Sequence, residues 1–508
     1  MEKKNKVIII GSGFGGLGTA CLLAKAGYDV SVYEKNDKVG GRANLLQENG
    51  FTFDMGPSWY MMPDVFEHFF GLLGENINDY ITLEKLSPSY RIFLKSENKQ
   101  YDFYSDLEKN KKTFEEIEPG AGEKLEKYLE ISKEQYEIAY SEFMFKNYDT
   151  IFDFFNKRVM TNGKKLPIFK NMKNYVEQYF KSELLQKVLQ FQTVLLGTAP
   201  KDTPAMYSLM NHVDFNQGIW YTKGGIYEVV KAIKKVAEKN GVKFFTNSPA
   251  EEIIVEDNKA TGIKVNGENI YADIVISNAD IHHTEQKLLK KEHRMFTEKY
   301  WSKKVIAPSG LLLYIGMKDK VDNLTHHNLI FSSDWPKNFK QIFKTEELPD
   351  DPSIYICCPS ITDDTVAPEG KENIFVLAPI ASNPNYTEGD LDIFQEKLLK
   401  TIEKTTGIKD FNNRIEYIKR YTVKDFISDY NSYKGSALGL AHTLRQTAIF
   451  RPNNYSKKVK DLYFVGGQTN PGIGVPICLI SAELIYKRLK NDKSPEPLTE
   501  IKKEDFSN

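Results

Sequence analysis

Residues Val7 to Glu34, VIIIGSGFGGLGTACLLAKAGYDVSVYE, set a short apolar run, a glycine turn, an amphipathic stretch and a second apolar run closed by an acid in immediate succession. Val7 to Ile10 are too few for a helix of their own and read as a buried strand. Leu17, Ala20, Leu23 and Ala24 then take up helical spacing, and Gly11, Gly13 and Gly16 fit G-x-G-x-x-G between the two elements. Gly11 permits the tight turn. Gly13 lets backbone N–H groups approach a pyrophosphate at the positive helix end, and Gly16 lets the helix lie close on the strand. Glu34 follows Gly16 by 18 residues, at the end of Val30 to Tyr33. A carboxylate there accepts hydrogen bonds from a ribose 2′-hydroxyl and repels a 2′-phosphate. The unit is a dinucleotide cradle.

These residues alone leave NAD and FAD open. The Gly40-Gly41-Arg42-Ala43 step resembles the extension seen in FAD enzymes of the glutathione-reductase type, which favours FAD. No second G-x-G-x-x-G follows a strand elsewhere. A nicotinamide partner is therefore not expected: electrons come from an organic substrate and leave to another acceptor, a quinone or oxygen.

At 508 residues the chain exceeds one ordinary core, so two or more domains are expected. Its 68 basic and 69 acidic residues leave a net charge of −1, no global field that would draw in nucleic acid. Of the four cysteines, Cys21, Cys357, Cys358 and Cys478, the adjacent pair is poorly placed for an ordinary disulfide. No second pair stands at zinc spacing, so no metal site is expected, and a reduced cytoplasmic setting is the simpler reading. The first strand begins at residue 7, which leaves no room ahead of it for a signal peptide. No stretch approaches eighteen uninterrupted apolar residues, the longest candidate being a short buried strand around Gly310 to Met317.

Along the chain, Pro63 opens a helix with Phe66, Phe69, Phe70 and Leu73 on one face. From about Leu83 to Pro204 the pattern becomes mostly helical, with a long stripe of Val176, Phe180, Leu184, Val188, Phe191 and Leu195 read as one surface or interdomain helix. Regular α/β character returns at Gly224-Gly225 with a helix carrying Ile226, Val229, Val230, Ile233 and Val236. The strand Val242 to Thr246, a hairpin turning at Asp257-Asn258 and the strand Ala272 to Ser277 are expected to extend the first sheet. Leu462 to Val465 make a strand, Gly466 to Val475 a glycine- and proline-rich turn, and Pro476 opens a helix to about Leu489. The fold class is thus α/β, a Rossmann-like domain with a discontinuous α+β second domain. Residues 1–82, 218–281 and 456–490 form the first and 83–217 and 282–455 the second. The tail 491–508 is charged, contains Pro495 and Pro497, and is expected to be disordered.

The closing segment DLYFVGGQTNPGIGVP, Asp461 to Pro476, puts a glycine-rich loop ahead of a helix whose first N–H groups are free, a setting suited to an electron-rich flavin edge. With IIIGSGFGGLGTA, VGGRA, FDMGPSWYMMPDVF, QGIWYTKGGIYEVV, VISNAD and LRQTAIFRPNN it resembles the bacterial phytoene desaturases, FAD-dependent carotene desaturases, over nearly the whole chain. VGGRA is shared with amine oxidases and protoporphyrinogen oxidases, whereas Phe450-Arg451-Pro452 before the closing loop is much more like the carotene enzymes. The loop departs from the family pattern in Gly467-Gln468 before Thr469 and Asn470 before Pro471.

The resemblance implies a glutathione-reductase-type FAD fold. It places Gly11, Gly13, Phe14, Gly16, Glu34, Lys35, Gly41 and Arg42 at the adenosine and pyrophosphate, Gly56, Pro57 and Ser58 beside the cofactor, and Ala250 against adenine through its backbone. Gly466, Gly467, Gly474 and Val475 would hold the isoalloxazine. It implies stepwise dehydrogenation of a long polyene. GIWYTKGG is similar to phytoene enzymes of Bacteroidetes-like bacteria, so phytoene is the expected substrate and lycopene the end product. A thirty-carbon dehydrosqualene or a hydroxycarotene differs mainly in tunnel length and end shape.

Loss of hydride from an allylic carbon leaves a cation stabilised by conjugation, and its neighbouring proton is acidic enough for a weak base. No triad or carboxylate pair stands out, and no catalytic residue is assigned. Arg451, His442, Asp54 and Trp59 lie in family motifs and are candidates near flavin or tunnel. A hydrocarbon this insoluble must come from a bilayer, so a peripheral membrane partner is expected. Asn156 to Tyr175, with six basic residues and no acid after the aromatic stretch Phe143 to Phe155, fits an anionic surface. The rivals are an FAD amine oxidase or flavin-dependent isomerase on the same fold, and an escort protein of the Rab GDP-dissociation-inhibitor type that works without FAD.

Overall fold

The computed structural model describes residues 5–95, 97, 99–150, 153, 166–382 and 385–503. The run Val7 to Ile10 becomes the strand Lys6–Ile10 at the centre of a five-stranded sheet. Its side chains divide strictly by parity: Val7 and Ile9 enter one core, Ile8 and Ile10 another. A strand with both faces buried must be apolar throughout, which is why the run shows no alternation. All pairings in this sheet are parallel, in the order Leu462–Phe464, Ile274–Ser277, Lys6–Ile10, Asp29–Tyr33, Lys243–Phe245. The expected Rossmann-like architecture is present.

One face is covered by the helices Phe14–Lys25, Pro63–Leu72, Tyr227–Lys239 and Val475–Leu489. The helix after the glycine turn is not amphipathic as read. It is buried from Phe14 to Ala24 because the sheet and two other helices enclose it. The other face carries a separate three-stranded antiparallel sheet, Ala250–Glu256, Lys259–Val265 and Glu268–Tyr271. Asp257 and Asn258 turn its hairpin with φ of 49° and 58°, but the hairpin packs across the first sheet instead of extending it.

A second large sheet has seven strands in the order Ile415–Tyr421, Ser309–Met317, Glu372–Ile380, Ile354–Cys357, His327–Ile330, Tyr90–Leu94, Lys99–Phe103. Its pairings are antiparallel except between Tyr90–Leu94 and His327–Ile330. Ser309–Met317 is buried end to end, sending Leu311, Leu313 and Ile315 to one core and Leu312 and Tyr314 to another.

Three further expectations need correction. The region after Leu83 is not helical at its start, because Tyr90, Ile92 and Phe103 supply apolar faces that the distant strand His327–Ile330 and the helices completes. The stripe from Val176 to Leu195 is not one helix but Met172–Val176, Glu183–Gln190 and a tighter 3₁₀ turn Phe191–Val194, with the first break where one oxygen of Glu118 accepts from the N–H groups of Lys181 and Ser182. The tail is packed through residue 503: Leu498 and Ile501 lie on the first core, Leu498 N–H donates to Glu483, and the buried Lys487 ammonium donates to the carbonyls of Ser494 and Glu496. Its charges misled, because two apolar residues and one buried cation suffice to fix it. Among the described residues no helix is long and apolar enough to cross a membrane.

Candidate functional site

The glycine turn and the acid after the second strand are fastened together. Gly11 takes a φ of 88° and donates its N–H to Tyr33 carbonyl oxygen at 2.8 Å. Glu34, 5% exposed, accepts from the Ser12 N–H at 2.9 Å and the Ser12 hydroxyl at 2.7 Å through one oxygen, and from Asn36 N–H at 2.9 Å through the other. A Cβ on Gly16 would stand 2.2 Å from the Gly11 carbonyl oxygen, so the third glycine is required by the turn itself as much as by the sheet. Gly41 approaches less severely but still tightly: its Cβ would lie 3.1 Å from Gly13 Cα. The helix that Gly13 starts has no side-chain cap.

This trough continues into a single cavity of about 1140 Å³. Its polar end is lined by Gly11, Gly13, Phe14, Glu34, Lys35, Gly41, Arg42 and Ala250. Lys35 donates to the Ser428 carbonyl, and Arg42 reaches Ser432 Oγ at 3.1 Å while its Nε is buried without a partner. Two cations and an uncapped helix N-terminus make this end suited to a pyrophosphate.

Gly56, Pro57 and Ser58 line the cavity as well, as do Gly467, Gly474 and Val475 from the closing loop. Gly474, with a φ of 132°, precedes a helix that again has no side-chain cap. Gly16 and Gly466 do not line the cavity. Gly466 packs instead against Asn278, whose Nδ2 would be 2.5 Å from a Cβ there and which also abuts Gly13, Gly15 and Gly16. Asn278 donates to the Val465 carbonyl at 3.0 Å, so its amide is the wedge between the two glycine loops. Nothing within VISNAD itself marks this asparagine; its place at the end of the strand beside Lys6–Ile10 is the one signal the sequence offers.

His442 is buried on the cavity wall and holds the closing loop. Its Nε2 accepts from Ile473 N–H at 3.0 Å, so Nδ1 carries the proton and donates to Tyr207 at 2.7 Å. Burial, assisted by the nearby Arg451 charge, holds this imidazole well below its usual pKa and therefore neutral. Arg451 lies behind the loop, outside the cavity lining, donating to the carbonyls of Thr469, Gly467, Leu440 and Gln446. Burial pulls its pKa down to about 10. Asp54 is also off the cavity: it accepts from Ile226 N–H at 2.8 Å and Tyr227 N–H at 3.2 Å, capping a helix, and burial raises its pKa to about 7 against the pull of those bonds. Of the four motif residues, Trp59 and His442 line the cavity and Asp54 and Arg451 do not.

Beyond the middle the walls turn apolar, with Phe191, Leu329, Phe331, Trp335, Phe339 and Phe343 among them. At the surface the same cavity is rimmed by Phe169, Leu195, Leu444 and Phe450, which are 95%, 41%, 41% and 56% exposed. Residues 156–165, half of the basic segment and four of its six basic residues, lie outside the described residues. The cavity therefore runs from a charged nucleotide-sized trough to an apolar chamber open at a greasy mouth.

A model of the family described as flavin containing amine oxidoreductase matches residues 14–484. A carotenoid 3,4-desaturase of Haloarcula japonica is 45% identical over 489 residues, covering 96% of this chain and 98% of the relative. A zeta-carotene-forming phytoene desaturase of Myxococcus xanthus is 35% identical over 492 residues, covering 95% and 93%. An oxidoreductase from Methanosarcina mazei superimposes with a TM-score of 0.63 at 16% identity, covering 95% of this chain and all of that one, a likeness of fold.

Proposed function

From the premise that this chain belongs to the flavin containing amine oxidoreductases, we propose that it is an FAD-dependent carotenoid desaturase, removing two hydrogens from a CH–CH pair of a long polyene. The carrying observation is the continuity of one cavity from the glycine trough to an apolar chamber and a hydrophobic mouth.

The trough fits the cofactor. The buried unpartnered Arg42 Nε and the Cβ-free lining at Gly13 and Gly41 leave a donor and backbone clearance for a pyrophosphate. We assign the adenosine side to Glu34 and Ala250, the pyrophosphate to Gly13, Phe14, Lys35, Gly41 and Arg42, and the ring system to Gly56, Pro57, Ser58, Gly467, Gly474 and Val475. In this reading Gly11, Gly16 and Gly466 shape the loops. FAD, when bound, supplies the hydride acceptor. The protein's own part is to strip water from the polyene with aromatic and aliphatic walls, to hold it extended, and to shape the closing loop through His442 and Arg451. Neutral His442 presents no charge to an allylic cation, and proton loss beside such a cation needs only a weak base. The segments 1–82, 218–281 and 456–490 serve the cofactor, and 83–217 with 282–455 the substrate. Electrons leave to a quinone or oxygen.

The rim of Phe169, Leu195, Leu444 and Phe450, with Lys170 and Arg445 beside it, seats the mouth on a bilayer from the cytoplasmic side, so that substrate enters without crossing water. Phytoene is the first substrate to try. A second reading, 3,4-desaturation of an already conjugated carotenoid, is favoured by the higher identity to the Haloarcula enzyme. Anaerobic addition of phytoene, or separately of lycopene, in liposomes to FAD-loaded protein distinguishes them. Flavin bleaching with longer-wavelength polyene bands identifies the substrate. Bleaching by neither polyene but by an amine overturns the assignment.

A further inference from the structure

We propose that His326, His327 and Cys357 bind a zinc ion in the wall behind the chamber. The site is assembled by strand pairing. His327 opens the strand His327–Ile330 and is the direct cross-strand partner of Cys357, and Cys358 N–H donates to the His326 carbonyl at 2.8 Å, which holds the second imidazole alongside. All three residues are buried, and one donor atom from each lies within 4.8 Å of the others.

The two imidazoles are set up as ligands usually are. His326 Nδ1 is 2.8 Å from the Thr362 hydroxyl and His327 Nδ1 is 2.8 Å from the Tyr355 hydroxyl. If each Nδ1–H donates to its hydroxyl, each Nε2 is left with a lone pair, and hydrogen bonding at the far ring nitrogen is what orients ligating histidines. Both Nε2 atoms are buried with no hydrogen-bond partner. Two orphaned imidazole nitrogens on adjacent residues beside a thiol are unexpected unless something else completes them.

The donor set chooses the ion. Two imidazoles and one sulfur suit zinc, whereas calcium and magnesium require oxygen. Tetrahedral donors stand roughly 3.5 Å apart, so the cluster has only about an ångström to contract. A separate cavity of about 20 Å³, lined by His326 and Cys357 but not His327, and by Asp54, Ser58 and Tyr221, has room for one water beside two of the three ligands. On binding, the Cys357 thiol releases its proton to solvent as the Zn–S bond forms. The ion would stiffen the chamber wall: the His327 ring stacks on Trp59 at 4.6 Å, and Tyr355 bonds Ser58 at 2.7 Å, both of which line the main cavity. Cysteine spacing gave no sign of this, since the ligands come from two neighbouring strands.

The test is elemental analysis of FAD-loaded protein produced with zinc chloride in the medium and freed of loose metal by gel filtration. About one zinc per chain is expected. C357S and H326Q should each lose most of it while keeping FAD absorbance. FAD-loaded protein with less than roughly a tenth of an equivalent overturns the site, as does zinc content unchanged in both variants. Should the variants fail to fold, zinc-edge X-ray absorption of the unaltered protein decides: one sulfur with two nitrogens is expected, and a shell without sulfur overturns the proposal.

Discussion

One oxygen of Glu34 accepts both the backbone N–H and the hydroxyl of Ser12, at 2.9 and 2.7 Å, so the acid at the ribose end of the trough also clamps the first glycine turn. Replacing it should therefore cost more than a ribose contact. Hydrogen bonds to a charged group contribute about 1.5–3 kcal/mol each. E34Q turns one acceptor into a donor, set against the Asn36 N–H when the amide oxygen stays on Ser12, and FAD should bind roughly 10- to 100-fold more weakly. Fluorescence titration of apoprotein with FAD checks this; affinity within twofold of the parent would remove Glu34 from the site.

G16A should be more damaging than its single methyl suggests. The added carbon would meet the Gly11 carbonyl at 2.2 Å, a backbone atom that can retreat only by opening the turn. Overpacking of this kind costs about 1–3 kcal/mol, and cofactor retention should fall with it. Thermal unfolding with and without added FAD reads both effects. An unchanged midpoint would mean the turn is softer than drawn.

Arg451 touches no cavity surface, yet R451M should disorder the closing loop. Four carbonyls, two of them on Gly467 and Thr469, lose their donor. At about 1 kcal/mol or more each, the loss is on the order of 3–5 kcal/mol. Urea unfolding and limited proteolysis between 467 and 474 should report it, and a protease-resistant loop would contradict it.

Asp214 is buried, accepts from Tyr90 at 3.0 Å and from Gln192, and has its pKa raised to about 7 by burial. A carboxyl whose folded pKa exceeds its unfolded value favours folding while protonated. Its contribution is fully present below pH ~4 and is lost as pH rises toward 7, by at most about 4 kcal/mol. D214N should flatten the decline in stability between pH 4 and 7 and match or exceed the parent at pH 8. Denaturant midpoints across that range are the measurement; an unchanged slope in D214N would assign the pH dependence elsewhere.

F169S combined with F450S should spare the flavin and impair delivery. Both rings are exposed at the mouth, and neither is among the residues assigned to the cofactor. Removing them takes away apolar area worth about 25 cal/mol per Å², enough for roughly a tenfold drop in partition to liposomes. Vesicle sedimentation, with turnover of liposomal against detergent-dispersed polyene, would show the defect only in the first. Equal loss in both would place these residues in catalysis or folding.

What the sequence shows plainly is what neighbouring residues decide. Gly11, Gly13, Gly16 and Glu34 sit within one strand–turn–helix–strand unit, and Pro476 with Gly474 announces the closing helix, so the loops and their helices are legible from spacing. Asn278 is not, because its meaning depends on four glycines drawn from two distant loops. Tyr90–Leu94 was lost in a helical region because its partner His327–Ile330 lies far along the chain. The stripe ending at Leu195 kept helical spacing although Glu118, from another element, stabilises a break in it. His442 and Arg451 were recognisable as motif members, while their geometry as loop supports required knowing which carbonyls and N–H groups the loop leaves unpaired.

The first sheet is assembled from strands spread from Lys6 to Phe464, and its last strand and helix carry the loop that faces the first glycine turn. During synthesis the opening strands gain both neighbours once Ser277 has been made, but Ile274–Ser277 must wait, with one edge uncovered, until Leu462–Phe464 follows. Asn278 can emerge and dock beside Ile10, but Gly466 and the helix that buries Gly18 come only afterwards. The cofactor thus cannot be enclosed until Leu462–Phe464 and the helix after it have docked, so its capture closes the folding of this sheet and does not precede it.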